Sequence, residues 1–298
     1  MKMLKVIAAV LMVIACAGSL SAIDRAAIEE ADALYEDDRP AEAVAVLEDA
    51  RSTARGGPEL AEVFWRLSRA TLSVGERLAD ASAETESILA TYEEGEQYGV
   101  RAVESDPSNH LGYYWQSANI GKWGQTKGIL DSLFRAGPMR DLLKQAITME
   151  PDHADSYYVL GQLYAQVPGF ISFGNVDYAV SLGRKSVDLH EADLVSGAED
   201  EVRHDFYIQL ASHLIQRNWD ARRRSREQEN KARSFARTDD VLERGRHYEG
   251  TVEIPDRSDR EEAEELLLDM IRRLEAIGDR TAGQEDELED ARELLAQI

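Results

Sequence analysis

"AITMEPDHADSYYVLGQLY", residues 146–164, is the stretch whose reading decides the fold. Ala146 is followed five residues later by Pro151, with an acid, Glu150, between them. Proline suits the first turn of a helix and disfavours helix at the residue before it, so one helix ends near Glu150 and another begins just beyond. On the new helix Tyr157, Leu160, Gly161 and Tyr164 recur every three or four residues, which puts them on one face. The same punctuation stands in "AVESDPSNH", 102–110, where Ala102 leads to Pro107. Two helix-to-helix junctions of one design, 44 positions apart, indicate a repeat.

Working outward, further paired helical patterns run from about residue 25 to about residue 235. Tyr114, Ala118 and Gly121 mark one unit, Trp65 and Leu67 another, and Tyr207, Leu210, Ala211 and Leu214 a later one. The first, "IEEADALYEDDRPAEAVAVLEDA", opens its second helix at Pro40 and aligns Ala43, Leu47 and Ala50. These positions resemble the tetratricopeptide repeat, whose first helix carries a large residue, Leu and Gly or Ala, and whose second carries Ala and Pro. The resemblance implies an all-α array, wound as a right-handed superhelix. The 44-residue spacing exceeds the ~34 of the repeat, so extra residues sit between paired helices, as "GQTKGILDSLFRAG" and "QVPGFISFGN".

Over roughly residues 26–190, "ALYEDDRPAEAVAVL", "FWRLSRA", "YGVRAVESDPSNHLGYYWQSANIGKWGQTKGI" and "LLKQAITMEPDHADSYYVLGQLY" together resemble the tetratricopeptide domain of the regulator of microtubule dynamics family and its bacterial relatives. A second resemblance, to the tetratricopeptide lipoprotein associated with TRAP-type transporters, rests on export route and helical build. The acidic and apolar amino-terminal block of that lipoprotein has no counterpart in this chain.

The amino terminus, "MKMLKVIAAVLMVIACAGSLSA", sets Lys2 and Lys5 before an apolar run from Val6 to Ala15. That run falls short of the ~20 residues that span a bilayer and reads as an export signal. Cys16, the only cysteine, ends Val13-Ile14-Ala15-Cys16, which resembles the bacterial lipobox. Either Cys16 is lipidated and anchors the protein, or the signal is cut near Ser21 or Ala22 and Cys16 is discarded. The expected order is signal over 1–22, repeat array over 24–235, linker over 236–257 and carboxy-terminal helical hairpin over 258–298. In that hairpin Ser258 with Glu261, and Thr281 with Gln284, form capping-box signatures ahead of leucine-rich runs.

Without Lys2 and Lys5, 32 basic residues face 57 acidic ones, a formal charge of −25. Nucleic acid is excluded as a partner, because phosphate backbones bind through Lys and Arg. The six histidines form no His-Glu-x-x-His run or Cys/His cluster, so no metal and no cofactor is expected. "PDHAD" and "HEAD" read as helix-end capping. "GKWGQTKG", 121–128, lacks the phosphate-loop spacing, and its glycines read as helix approach or a turn. No Gly-x-Ser-x-Gly elbow is present. Arginines at 222–226 read as a solvated helix face balanced by Glu227 and Glu229.

Eleven of the 21 aromatic residues fall between Tyr113 and Tyr178, and helical spacing sorts them. Tyr114, Tyr157 and Tyr164 take packing positions. Trp115, Asn119, Lys122, Trp123, Tyr158, Gln162 and Gln166 take first-helix positions that line the groove of such arrays and are the candidate binding residues. The loop 165–175 either plugs the interhelical space with Phe170, Ile171 and Phe173 or lies over the groove as a lid. Gly174 is read there as a left-handed position and Asn175 as a helix cap. The functional expectation is a non-catalytic scaffold of the bacterial envelope holding a protein segment or ligand. The alternatives are a transporter accessory whose partner is a solute-binding protein and, behind it, a hydrolase. Membrane contact is expected only through a lipid anchor.

Overall fold

A computed structural model describes residues 25–254 and 256–298. The export signal expected over 1–22 and the lipidation expected at Cys16 lie outside these residues. The described chain is all-α, and its helices divide into two compact units at Gly112 and Tyr113.

The first unit holds α1 (Arg25–Glu36), α2 (Pro40–Arg51), α3 (Gly57–Asp80) and α4 (Thr85–Ser105). Each packs on the next, with α3 and α4 the most intimate pair. Pro40 opens α2 and Pro58 the first turn of α3, where a missing N–H costs nothing. Ala43, Leu47, Ala61, Val63, Leu67 and Ala102 are buried almost completely. Gly75 lets α4 approach: a Cβ there would lie 2.5 Å from the Tyr92 ring.

The second unit begins within α5 (His110–Lys127) and continues through α6 (Ile129–Met149), α7 (Ala154–Gln166), α8 (Val176–Ser196), α9 (His204–Arg217), α10 (Ala221–Phe235), α11 (Val241–Arg246), a 3-10 turn (Tyr248–Thr251), α12 (Asp259–Ala276) and α13 (Ala282–Leu295). One apolar cluster joins α5 to α8, with Tyr114, Tyr157, Leu160 and Tyr164 buried as packing positions. Within it Gly121 gives Met139 room, since a Cβ would come within 2.9 Å of its Cε. A second cluster joins α8 and α9 to α12 and α13 through Phe206, Leu210, Leu214, Leu267, Met270 and Leu288. Both capping boxes form, Ser258 with Glu261 and Thr281 with Gln284.

Two expectations are corrected here. Residues 236–257 are not a bare linker: they carry α11, packed on α8 and α6, and the 3-10 turn, packed on α8 and α10. The arginine helix is not wholly a solvated face. Arg222, Arg223 and Arg226 are exposed, but Arg224 and Lys231 are buried. They belong to a charge cluster in which Arg184, Arg217, Arg224 and Lys231 meet Asp177, Glu249, Asp259 and Glu262. Four cations balance four carboxylates, the condition under which charge tolerates burial. Glu249 N–H also donates to Ser181 Oγ at 2.9 Å, tying the turn to α8.

The loop after α7 is likewise partly corrected. Phe173 packs edge-on against Tyr164 at 5.4 Å, under the Arg140 guanidinium at 4.7 Å. Phe170 is 89% exposed and Ile171 54%, so neither plugs anything. Gly174 has no positive φ. Its lack of a side chain instead admits the Val167 carbonyl oxygen, which a Cβ would overlap outright. Asn175 caps α8 as expected, its side chain accepting from Asp177 N and Tyr178 N.

Candidate functional site

Within the second unit, α7, α9 and α13 frame an open-sided cavity of about 820 Å³. Tyr158, Gln162 and Gln166 reach it from α7, four residues apart and therefore on one stripe. From α9 come Asp205, Gln209, Ser212, His213 and Gln216, again at helical spacing, with Ile208 and Ile215 beside them. Glu287, Asp290, Glu293, Leu294 and Gln297 line the third side.

Tyr158 is stacked on Phe206 at 4.7 Å, and Gln162 Nε2 donates to its hydroxyl at 3.2 Å. Burial first, then the Asp205 carboxylate, raises the Tyr158 hydroxyl well above its ordinary pKa, so it stays a neutral donor and acceptor. Gly161 admits the α9 side chains: a Cβ there would lie 3.3 Å from His213 Cε1 and 3.6 Å from Gln209 Oε1. Gln209 is 7% exposed, yet among the described residues neither of its amide atoms has a hydrogen-bond partner. His213 Nδ1 is also buried and unpartnered. Burial pushes the His213 imidazole down to about 4, against a smaller opposite effect of the Ala179 carbonyl, so the ring is neutral at physiological pH. Glu287 moves the other way. Burial, then the Asp205 and Asp290 charges, push its carboxyl up to about 7, with Arg203 opposing. Unpaired buried amides cost free energy unless something in the cavity bonds to them.

The expected binding residues are thus divided. Tyr158, Gln162 and Gln166 line the cavity together, whereas Trp115, Asn119, Lys122 and Trp123 do not reach it. Asn119 is fully buried and donates from Nδ2 to the Trp115 carbonyl at 3.0 Å, which corrects its placement on a groove. Trp115 is half-buried, edge-on to Tyr114 at 4.8 Å. Trp123 lies beneath the Arg135 guanidinium at 4.7 Å. Lys122 is half-buried on the same helix. Of the histidines set aside as caps, His190 is buried inside α8, where Nε2 accepts from Arg203 N at 3.0 Å. Sequence reading missed Asp205, Gln209, His213, Glu287 and Asp290. For two of them a signal was present: Gln209 and His213 form an i, i+4 polar pair among the apolar residues Phe206, Ile208, Leu210 and Leu214.

Among the described residues no group of three or more His, Cys, Asp and Glu is arranged to hold a metal, and no helix is long and apolar enough to cross a membrane. The family model of the regulator of microtubule dynamics protein 1-3 matches residues 27–169. Over that stretch the all-α chain resembles this family. Among solved structures, a thermophilic tetratricopeptide protein of Thermus thermophilus, TTC0263, is similar at 17% identity and a TM-score of 0.48, over 76% of this chain and 98% of that one. A structure titled "MamA RS-1 ArsTM double mutant" is similar at 14% identity and a TM-score of 0.42, over 67% and 87%. No curated protein matches the chain.

Proposed function

We propose that this chain is a non-catalytic binding protein that holds a segment of a protein partner in the cavity between α7, α9 and α13. One observation carries the reading: a stacked tyrosine, and a buried amide and imidazole nitrogen without partners among the described residues, share one concave surface. A rigid ring supplies contact area, and the polar groups fix orientation. Helical-repeat scaffolds commonly present such surfaces to other proteins.

The same reading takes 1–22 as an export signal and places the protein in a bacterial envelope, released into the periplasm or anchored through a lipidated Cys16. The intact mass of the exported protein separates these two. A transporter accessory that receives a small ligand and works with a solute-binding protein is the second reading, favoured by a cavity of about 820 Å³, within the ~300–1,000 Å³ of small-molecule sites.

The test is photo-crosslinking from an unnatural residue at Gln216, on the cavity, and at Val195, which is 90% exposed and outside it. Extract of the organism that makes the protein supplies partners. A partner joined from position 216 but not from 195, and lost when Gln166→Trp fills an exposed lining position, is the expected result. Equal crosslinking from both positions, or none from 216, overturns the reading.

A further inference from the structure

We propose that the cavity receives a cationic group, an ammonium or guanidinium carried on an aliphatic stem. The proposal rests on the cavity being the binding surface and concerns what that surface selects.

Its lining includes Asp205, Glu287, Asp290 and Glu293 but neither lysine nor arginine. Asp205 is shared with the Arg203 guanidinium at 3.0 and 2.9 Å. Among the described residues Asp290 and Glu293 make no ion pair, and buried Glu287 Oε2 makes no hydrogen bond; His204 Nδ1 stands 3.6 Å from it, on an imidazole whose pKa burial lowers. Unlike the charge cluster beneath α10, this set of carboxylates is not balanced.

Gln209 is a separate observation that points to a ligand. It lines the same cavity, is more than nine-tenths buried, and leaves its amide oxygen without a donor. That oxygen lies on the α7 side, 3.6 Å from where a Gly161 Cβ would stand, and α13 supplies carboxylates to the same cavity. Ile208, Ile215 and Leu294 supply an apolar wall for a stem. Carboxylates here have no metal-holding arrangement, which favours an organic cation over a bare ion.

Titration supports the geometry. Glu287 feels Asp205, Arg203 and Asp290 and stands 3.6 Å from His204, near which lies Arg273 of α12; Tyr158 and neutral His213 line the same cavity, with Asp155 acting on Tyr158. The Asp290 carboxyl is raised by burial and then by Glu293, Asp286 and Glu289. Both groups resist ionisation because burial and neighbouring carboxylates outweigh what opposes them, which at Glu287 is Arg203, and an entering cation lowers that resistance. With a pKa of about 7, Glu287 is ionised in ~3% of molecules at pH 5.5 and ~90% at pH 8, so cation affinity rises over that interval, by at most ~30-fold.

Isothermal titration of the full chain tests this with three probes: agmatine, a blocked Ala-Ala-Arg-Ala-Ala peptide, and its citrulline counterpart, which keeps the shape and loses the charge. The expected result is binding of agmatine, the arginine peptide or both at pH 8, at least ~10-fold tighter than citrulline, and weaker at pH 5.5. Binding of the peptide alone assigns the cation to a protein segment, and binding of agmatine alone to a free amine. The preference should vanish in Glu287→Gln with Asp290→Asn, near-isosteric changes that circular dichroism should show to be folded. Equal binding of citrulline, no binding by any probe, or a preference surviving the double variant overturns the proposal. Crosslinking from Gln216 that persists in any of these cases leaves the binding reading standing while the charge reading falls.

Discussion

Arg217→Met should destabilise the second unit severely. Arg217 donates twice to Asp259, at 2.9 and 2.7 Å, twice to Glu249, at 2.6 and 3.0 Å, and once to Asp177 at 2.9 Å. Both Glu249 and Asp259 are at most 2% exposed, so neither gains water when the guanidinium goes. Arg184, Arg224 and Lys231 remain, but the cluster is left with one carboxylate in excess. Removing one partner of a buried ion pair costs about 3–5 kcal/mol, because the other charge stays buried. For a unit of this length each kcal/mol lowers the melting temperature by ~2–4 °C, so the loss should be roughly 6–20 °C. Differential scanning calorimetry at pH 7 reads it directly. Adding Glu249→Leu to Arg217→Met should restore part of the loss, since replacing a whole buried pair by apolar groups is far cheaper than halving it. The cluster also has a pH signature. Burial raises the Glu249 carboxyl, but Lys231, Arg217 and Arg184 together hold it well below its ordinary value. Its stabilisation is therefore present above the unfolded-state pKa and lost as pH falls through the folded one, and this acid sensitivity should shrink in the variant. A melting point within about 3 °C of wild type would show that the cluster does not hold these helices together.

Two further outcomes test the loop and the cavity wall. Phe173→Ala should cost about 2 kcal/mol by urea denaturation, from partial burial against Tyr164, while Phe170→Ala stays within about 0.5 kcal/mol; equal costs would restore a shared plugging role. Because the His213 imidazole is pushed from 6.5 to about 4, stability tied to it is full above pH 6.5 and lost as pH falls towards 4. Lowering the pH from 7.5 to 5 should thus cost wild type about 2 kcal/mol more than it costs His213→Asn, with equal losses refuting burial of the neutral ring.

Sequence by itself determined the helices, their junctions and their packing faces. Pro40 opens a helix, Pro151 lies in the turn just before one, Ser258 and Thr281 cap, and Tyr157, Leu160 and Tyr164 face inward for reasons confined to a few neighbouring residues. Backbone sterics and a 3.6-residue period act over one or two turns, so a sequence displays them openly. The cavity was legible only on the α7 side, where Tyr158, Gln162 and Gln166 share a stripe. Its other walls come from residues 205–216 and 287–297, and no local pattern says that α13 returns to α7. The charge cluster is the sharper case. "ARRRSREQENKARSF" is consistent both with a solvated basic helix and with one that buries Arg224 and Lys231. Only the arrival of Glu249, Asp259 and Glu262 from later in the chain decides between them, because a buried cation is stable where its counter-charges are supplied in space, and sequence separation carries no information about that.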